Sequence, residues 1–439
     1  MNLTFIKNYL ILFLLWIPVV IQAQKAPRSL NQLKIKVEAV GVARQNTIAS
    51  FDISSYAALP AGSRIAVKTV DGQVCHSQIE HCPETGTSTL YWRIDGQMAE
   101  NESRNFVCEI TSVPETAPVM AVDQDGLGNF VLKKNHTNVL QYNTILPRLR
   151  SGVDSALRRN GYIHPAWSPS GNVLTNSNPI DHWHHYGIWN PWTSIEYDGK
   201  SYDLWNLILK QGTVRFDSLY RSVSGNLYAE ISVRHRHIIY EPQPVQVANH
   251  VWGVLRFTPK IEKNIMDELQ YIRVWNGENG TFLWDLNFNL YPSTHLPVTL
   301  KQYHYAGLGW RATPDWTKDN CEMMTSEGKS RPESDGTNAR WIYVTGISPN
   351  GKSGILLMSS PKNHNFPEPL RTWDQTRNSG RGDAFINFVP VKNEDWILEP
   401  GNEYKFRYRL FVFDGDITPA RAEAIWKDYA TPVKVSATK

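Results

Sequence analysis

The strict alternation of apolar and polar residues over short runs is the feature that most constrains the fold. In residues 282–290 every second side chain is large and apolar, and residues 405–413 repeat the pattern. A period of two puts successive side chains on opposite faces of a strand, so each run predicts a strand with one face in a core. Only residues 418–429 carry the N-cap, proline and apolar spacing of a convincing helix. The sequence therefore predicts a mainly β protein with antiparallel sheets and a C-terminal helix.

Two domains are predicted. Residues 24–118 contain several short alternating runs, two of which end at Asp-Gly pairs, at 71–72 and 95–96. Such pairs are typical of β-hairpin turns, so this segment predicts a small antiparallel β-domain. A polar, proline-containing stretch at 112–118 marks its end. Residues 119–439 are then expected to form a large antiparallel β-sandwich, similar to the supersandwich folds that bind sugars on a concave face.

The first 23 residues have the pattern of a secretory signal peptide. Lys7 is their only charged residue, an apolar run follows from Tyr9 to Ile21, and Ala23 provides a small residue for cleavage. No cysteine for lipid attachment stands at this point. We therefore expect export, with the periplasm as the compartment. No later run approaches the length of a membrane span, so none is expected in the mature chain.

Charge and cysteine content limit the classes of function. The chain has 45 basic and 42 acidic residues and no basic run, which argues against a nucleic-acid-binding protein. Its four cysteines lie at positions 75, 82, 108 and 321. In an exported protein, two of the first three could form one disulfide, with the pairing left open. The sequence has no Cys-x-x-Cys pair, so it does not predict a metal site built from cysteines.

The most unusual stretch is residues 181–192, which we call the histidine stretch. It reads Asp-His-Trp-His-His-Tyr-Gly-Ile-Trp-Asn-Pro-Trp and holds three of the chain's 13 histidines and three of its 16 tryptophans. Buried imidazoles need hydrogen-bond partners, whereas at a functional site they serve as acid, base or metal ligand. The stretch therefore predicts the floor of a pocket, and the alternative is a structural polar network.

Three further loops carry polar and aromatic residues. Residues 162–171 are rich in proline and contain His164; residues 303–311 contain two tyrosines, two glycines and Arg311; residues 361–367 contain His364. Glycines let the backbone turn tightly, so the second loop is expected to deliver its tyrosines and Arg311 to one place. Loops of this composition more often carry function than packing.

These four blocks resemble the PmoA-like family of the Bacteroidota and related bacteria. The shared blocks are His-Pro…Ser-Pro-Ser-Gly at 164–171, Asp-His-x-His-His-x-Gly-x-Trp at 181–189, Tyr-x-Gly-Leu-Gly-x-Arg at 305–311 and Pro-x-Asn at 361–363. The resemblance covers about residues 120–439, and Ala306 stands where relatives often have glycine. It implies a role beside polysaccharide-degrading systems, closest in kind to the ulvan oligosaccharide dehydratases of marine flavobacteria.

An enzyme of that kind is a carbon–oxygen lyase. It removes water from a glucuronic or iduronic acid at the non-reducing end of an oligosaccharide and leaves a 4,5-unsaturated uronate. The reaction needs a base for the C5 proton, an acid for the departing C4 hydroxyl, and donors or a cation that offset charge on the carboxylate. The partner implied is an anionic oligosaccharide.

The residue types suggest which side chains act as base, as acid and as carboxylate binder. His184 or His185 is expected to be the base, since imidazole titrates near neutrality. Tyr305 or His182 is expected to be the acid. Arginine matches a carboxylate, tryptophan offers a face to a sugar, and an aspartate can orient an imidazole. The expected substrate-binding residues are Arg311, Arg148, Asn363, His364, His164, Asp181 and Trp189.

Two other functions stay open. A glycoside hydrolase needs two placed carboxyl groups, and the four loops are poor in glutamate. A non-catalytic carbohydrate-binding protein would use the aromatic and amide side chains but has no need of clustered imidazoles.

No cofactor is expected, and the alternative is a divalent metal at the histidine cluster. If the histidine stretch were extended, His182 and His184 would point to the same side, and a third histidine from another loop could complete a site. The candidates for that third ligand are His164, His304 and His364.

Overall fold

The computed structural model describes residues 29–60, 63–82, 85–112, 117–242 and 260–438. The predicted signal segment lies outside the described residues. The described chain is mainly β, with antiparallel strand pairing throughout the larger sheets and one α-helix near the C-terminus, so the predicted fold class is confirmed. Among the described residues, no helix is long and apolar enough to cross a membrane.

The N-terminal domain holds the first seven strands of the chain in two sheets around one core. Its strands are β1 (Leu33–Glu38), β2 (Arg44–Asp52), β3 (Arg64–Thr69), β4 (Val74–Cys75), β5 (Ser77–Cys82), β6 (Thr87–Met98) and β7 (Ser103–Thr111). The predicted turn at 71–72 joins β3 to β4. The predicted turn at 95–96 is wrong, because the pair lies inside β6 at a register shift, where the amide of Gly96 donates to the side chain of Asn46 at 2.9 Å.

The second domain is a sandwich of a nine-stranded and an eight-stranded sheet, with a four-stranded sheet beside them. Its first strands are β8 (Met120–Gln124), β9 (Phe130–Lys134), β10 (Thr137–Asn143), β11 (Tyr162–Ala166), β12 (Ile188–Trp189), β13 (Ile195–Tyr197), β14 (Lys200–Tyr202), β15 (Gly212–Val223), β16 (Tyr228–Pro242), β17 (Lys260–Trp275) and β18 (Thr281–Pro292). They are followed by β19 (Val298–Leu300), β20 (Gly309–Arg311), β21 (Cys321–Thr325), β22 (Asn338–Ala339), β23 (Trp341–Ser348), β24 (Gly351–Ser359), β25 (Glu368–Thr372), β26 (Phe385–Phe388), β27 (Trp396–Leu398) and β28 (Tyr404–Asp414). Short 3-10 turns cover Ser155–Leu157, Leu207–Leu209 and Arg331–Glu333.

The alternating run at 282–290 lies in β18 as predicted. Its five apolar side chains are buried in the main core, which fills the space between the two large sheets. The run at 405–413 lies in β28, the direct neighbour of β18. The two clearest sequence patterns therefore pair with each other in the middle of the eight-stranded sheet.

The nine-stranded sheet brings the sequence blocks together. Ile188 of β12 pairs with Ile163 of β11 on one side and with Trp310 of β20 on the other. Trp310 pairs in turn with Ile386 of β26, whose other neighbour is β25. Three of the four loops singled out in the sequence are thus attached to adjacent strands.

The C-terminal end of the chain connects the two domains. Helix α1 (Pro419–Ala430) begins at the predicted N-cap Thr418, whose hydroxyl accepts from the amide of Arg421 at 3.2 Å. Its Asp428 accepts hydrogen bonds from Arg44 and Thr47 of β2. The last strand, β29 (Lys434–Thr438), then pairs with β1. The N-terminal sheet is therefore completed by residues that the predicted boundary at 119 assigned to the second domain.

Cys75, Cys108 and Cys321 are buried free thiols, so a disulfide between Cys75 and Cys108, one of the expected pairings, is absent. Cys75 on β4 and Cys108 on β7 both pair with Val67, which lies on the strand between them. Strands two places apart are separated by roughly 9–10 Å, which is beyond the Cα separation that a disulfide can span.

Removal of residues 432–438 should expose one edge of β1. Without β29, the β1 amides that face it lose their acceptors, and exchange of those amides in residues 33–38 is expected to become about tenfold faster or more. Hydrogen exchange read by mass spectrometry measures this, with residues 281–292 of β18 as the internal reference. The variant Ala437→Ser, which changes one exposed side chain of β29, is the control. Unchanged exchange in β1 after the deletion would contradict the pairing.

Candidate functional site

The histidine stretch folds as two successive turns and not as an extended segment. The amide of His182 donates to the carbonyl of Pro179, and the amide of His185 donates to the carbonyl of His182, both at 3.0 Å. These turns bring three imidazoles together: the ring centroids of His182 and His184 are 5.5 Å apart, and both rings lie 4.9 Å from the ring of His185. The same-side arrangement that an extended segment would give does not occur.

His185 belongs to the wall of the site. Its side chain is 1% exposed and contacts the rings of Trp189, Trp373 and Phe385 at centroid distances of 5.0–5.4 Å. Burial, together with the neighbouring imidazoles and Arg311, holds its pKa well below the usual value, so the ring is neutral. A ring enclosed in this way does not reach a ligand, and the expected role of His185 as base is not supported.

A chain of charged hydrogen bonds orients His182. One oxygen of Asp181 accepts from Nη2 of Arg311 at 2.7 Å and from Nδ1 of His182 at 2.8 Å. Burial raises the pKa of the Asp181 carboxyl, but these two hydrogen bonds outweigh burial and hold the pKa below its usual range. The carboxylate therefore stays ionised and fixes the ring of His182.

The pairing with Asp181 also selects the tautomer of His182. A carboxylate only accepts hydrogen bonds, so Nδ1 of His182 carries the proton and Nε2 of the neutral ring is left as an acceptor. The side chain is 32% exposed, so this nitrogen is attached to a ring that solvent and ligands reach. The geometry is that of a general base with a positioned carboxylate behind it.

Arg311 is a positioning residue in this geometry. Its side chain is fully buried, its Cζ lies 4.8 Å from the ring of Trp373, and Asp383 lies 3.4 Å from Nη2. Among the described residues, the enclosed side chain of Arg311 has one hydrogen-bonded partner, Asp181. This geometry does not support the expected role, in which Arg311 holds a substrate carboxylate directly.

His184 lies at the edge of the imidazole cluster and is partly exposed. Burial, the neighbouring His182 and the charge of Arg311 lower its pKa to about 4. An imidazole with this pKa is unprotonated at neutral pH and accepts hydrogen bonds, but it is a weak base for removing a proton from carbon.

Tyr305 has the hydrogen-bond pattern of a proton donor. Its hydroxyl oxygen accepts from Nη2 of Arg371 and from Nε1 of Trp373, both at 3.1 Å. Arginine and tryptophan side chains donate and do not accept, so the proton of Tyr305 is free to donate elsewhere. The same two donors would stabilise a phenolate. The role of acid expected for Tyr305 is compatible with this arrangement.

The indole of Trp373 lies at the centre of the site. It contacts the ring of His182 at 4.7 Å on one side and binds the hydroxyl of Tyr305 on another. The backbone amide of Trp373 donates to the carbonyl of Phe385, which fixes the residue at the end of β25. The sequence analysis did not find Trp373 or Arg371, because both residues stand outside the four blocks. The only signal in the sequence is the order Arg-Thr-Trp, which would put residues 371 and 373 on the same face of a strand.

Two of the expected binding residues near this site have other surroundings. Trp189 is 1% exposed and packs against Trp205 and His185, so it forms core instead of a sugar platform. His164 packs beside Gly187, and its Nδ1 shares a hydrogen bond of 2.9 Å with Thr175; burial lowers its pKa to about 4. Arg148 is exposed in the segment after β10 and makes no hydrogen bond or ion pair with the described residues of the cluster.

Asn363 and His364 belong to a different part of the sandwich. The amide group of Asn363 donates to Glu368 at 2.7 Å and to the carbonyl of Arg407 at 3.0 Å, and its oxygen accepts from the Arg407 amide at 2.8 Å. His364 stacks on Trp396 with centroids 4.0 Å apart. The amide of Asn363 is used in packing and one face of the His364 ring is covered by an indole. Neither side chain has a hydrogen bond, ion pair or ring contact with the imidazoles of the histidine stretch among the described residues.

For the metal alternative, no group of three or more His, Cys, Asp or Glu side chains in the described ranges is arranged to hold a metal ion.

A family model for a family of unknown function, DUF6807, matches residues 129–427. The chain belongs to the DUF6807 family. The match includes the histidine stretch, the loop of Tyr305 and Arg311, and Trp373, but not the N-terminal domain. The site described above is therefore a site of the DUF6807 part of the chain.

No curated protein matches the chain. Among solved structures, a GalM/aldose epimerase homologue from C. elegans has a TM-score of 0.28 and 8% identity, over 68% of this chain and 100% of that chain. Galactose 1-epimerase from Lactobacillus acidophilus NCFM has a TM-score of 0.25 and 12% identity, over 77% of this chain and 98% of that chain. At TM-scores this low, neither likeness bears on the function of the DUF6807 chain.

The network around Asn363 predicts a pH dependence of stability. Burial raises the pKa of Glu368 to about 7, although Ser359, Asn363 and Tyr408 all bond to it. The unfolded carboxyl loses its proton near 4.5, so the stabilising contribution is fully present below that pH and is lost as the pH rises through 7. The loss should amount to roughly 3 kcal/mol of unfolding free energy.

Urea denaturation at several pH values measures this effect. In Glu368→Gln the side chain cannot ionise, so the decline in unfolding free energy between pH 4.5 and pH 7 should be smaller than in the wild type by about that amount. Glu399→Gln, at an exposed carboxyl, is the matched control. If the unfolding free energies of the wild type and Glu368→Gln changed in parallel with pH, the raised pKa of Glu368 would be refuted.

Proposed function

We propose that this protein is a carbon–oxygen lyase that removes water from a glucuronic or iduronic acid at the non-reducing end of an ulvan-type oligosaccharide. The product is a 4,5-unsaturated uronate. The observation that carries the proposal is the juxtaposition of two groups at the Trp373 indole: the His182 imidazole with Nε2 free to accept, and the Tyr305 phenol with its proton free to donate. The proposal follows the activity that the PmoA-like resemblance implies, with export to the periplasm.

The two groups divide the chemistry of elimination. Nε2 of His182 takes the C5 proton, the electron pair of that bond forms the C4=C5 double bond, and the C4–O bond breaks. The departing hydroxyl takes the proton of Tyr305 and leaves as water. Asp181 stabilises the imidazolium that forms, and Arg371 with Trp373 stabilises the phenolate. Proton exchange with solvent then restores both side chains. This assignment moves the role of base from His184 or His185 to His182.

The charges around the site favour an anionic substrate. The carboxylates of Asp181, Asp335 and Asp383 are each paired with an arginine. Arg150 is exposed, lies 5.9 Å from the ring of Trp183 and has no carboxylate partner among the described residues. The surplus charge is therefore positive, which attracts a uronate and offsets the negative charge that develops on it during proton removal.

Glycoside hydrolysis is the weaker candidate. It requires one carboxyl group that stays protonated to serve the leaving oxygen. The carboxyl closest to the imidazoles is Asp181, whose pKa is held below its usual range by His182 and Arg311, against the raising effect of burial. A group ionised so firmly does not act as a general acid.

The direct experiment incubates the purified protein with oligosaccharides that carry a saturated uronate at the non-reducing end. A rise in the ultraviolet absorbance of the conjugated uronate, with loss of one water in the product mass and no new chain end, is the expected result. A new chain end would identify a hydrolase. Binding without any change of the oligosaccharide would identify a carbohydrate-binding protein, and both outcomes would reject the lyase.

Substitution of the two central groups should reduce turnover and largely spare binding. Tyr305→Phe removes the donated proton, and His182→Gln removes the base; each should lower kcat by about a hundredfold or more with KM within about threefold. Tyr303→Phe and His295→Gln, which change exposed side chains of the same types, are the controls. Equal loss of kcat and of oligosaccharide affinity in the two site variants would favour a binding or folding role.

A further inference from the structure

A cavity of about 290 Å³ opens between β15 and the 3-10 turn at Ser155–Leu157. Its lining includes Arg158, Arg159, Lys210 and Arg215, and it contains no acidic side chain. The volume is at the lower end of the range for small-molecule sites. A cavity lined by four cations and no carboxylate is suited to a small anionic ligand.

Arg159 is the decisive residue of this cavity. Its side chain is 2% exposed, and the enclosed Nε and Nη1 atoms have no hydrogen-bond partner among the described residues. No carboxylate of the described residues forms an ion pair with it. Burial of a charge without a partner is unfavourable, and the contact of its Cζ with the Tyr186 ring at 5.8 Å offsets this only in part. The site is therefore electrostatically incomplete without an anion.

The nearest buried carboxylate does not fill this need. Glu268 already accepts hydrogen bonds from Asn190, His235 and His237, each at 3.1 Å. This network keeps both oxygens of Glu268 occupied. Arg159 thus interacts with Glu268 only through the longer-range field.

The other cations divide into paired and unpaired ones. Lys210 lies 2.9 Å from Asp154, and Arg215 forms a two-point ion pair with Glu262. Arg158 donates to the carbonyls of Pro147 and Leu146, which leaves its charge uncompensated. Two of the four cations, Arg158 and Arg159, therefore have no carboxylate partner in the described part of the chain.

We propose that this cavity is an anion-binding site that takes a small ligand with an oxyanion group, sulfate or phosphate in kind. Arg159 lines the cavity and supplies the buried positive charge that attracts the oxyanion, and Arg158 adds charge at the cavity wall. Ser155 and Thr213 line the same cavity, and the hydroxyl of Ser155 can donate to a further oxygen. The oxyanion is either free in solution or a substituent of a sugar.

Tyr186 connects this cavity to the candidate active site. It follows His185 in the chain, its ring lies 6.3 Å from that of Trp189, and its hydroxyl donates to the carbonyl of Leu157 at 2.6 Å. Leu207 lines the cavity and also packs in the aromatic cluster of Trp189. An occupant of the cavity is thus one layer of side chains away from the wall of the active site.

Calorimetric titration of the full chain with sulfate, phosphate and glucose 6-sulfate, at constant ionic strength, tests the proposal. The wild type should bind at one site, and Arg159→Met should bind about tenfold more weakly or worse. Lys34→Met removes one exposed charge in the N-terminal domain and should bind like the wild type. Tighter binding of glucose 6-sulfate than of sulfate, lost in Arg159→Met, would identify a sugar substituent as the source.

The thermal stability of Arg159→Met without added anion separates binding from folding. Removal of an unpaired buried charge should leave Tm unchanged or higher. The proposal is overturned if the wild type binds none of the three anions, or if Arg159→Met binds them equally well. A lower Tm of Arg159→Met in the absence of anion would assign Arg159 a structural role instead.

Discussion

The pairing of β12 with both of its neighbours is the constraint on which the site depends. This strand has only two residues, lies within the histidine stretch and is held between β11 and β20. The approach is close enough to require glycine: at Gly187, which has φ of +60°, a Cβ atom would lie 2.1 Å from the carbonyl oxygen of Ile163. The turns that gather the imidazoles thus enter the sheet at one fixed point, opposite the strand that carries Arg311.

Three buried arginines illustrate how the same side chain serves different purposes in this fold. Arg311 holds Asp181, and through it the ring of His182; Arg371 holds the hydroxyl of Tyr305. In both cases a carboxylate balances the charge, so the guanidinium acts as fixed scaffolding for a neighbouring group. Within the described residues Arg159 has no carboxylate partner, and its Nε and Nη1 make no hydrogen bond. This difference is the basis for proposing that Arg159 binds a ligand while the other two arginines hold neighbouring side chains.

Patterns with a short period in sequence were predictive, and contacts between distant segments were not. The alternation at 282–290 identified a core strand because a single amphipathic face is visible in nine residues. The density of imidazoles at 181–185 singled out side chains that the fold gathers into one cluster, and Tyr305 lies across Trp373 from that cluster. The burial of Trp189 and the packing role of Asn363 could not be read, since tryptophan and asparagine suit either environment. Arg371 and Trp373 were missed because their importance arises only from β25 lying two strands from β20.

The position of β29 has a consequence for biosynthesis. Because β29 supplies one edge of a sheet that begins with β1, the N-terminal domain acquires its last strand only after the whole larger sandwich has been translated. A nascent chain therefore carries β1 with an unpaired edge throughout synthesis, which is the kind of exposed template that recruits chaperones or neighbouring chains. The helix that precedes β29 docks on Arg44 and Thr47. The first domain can therefore be completed only after the second domain has been synthesised.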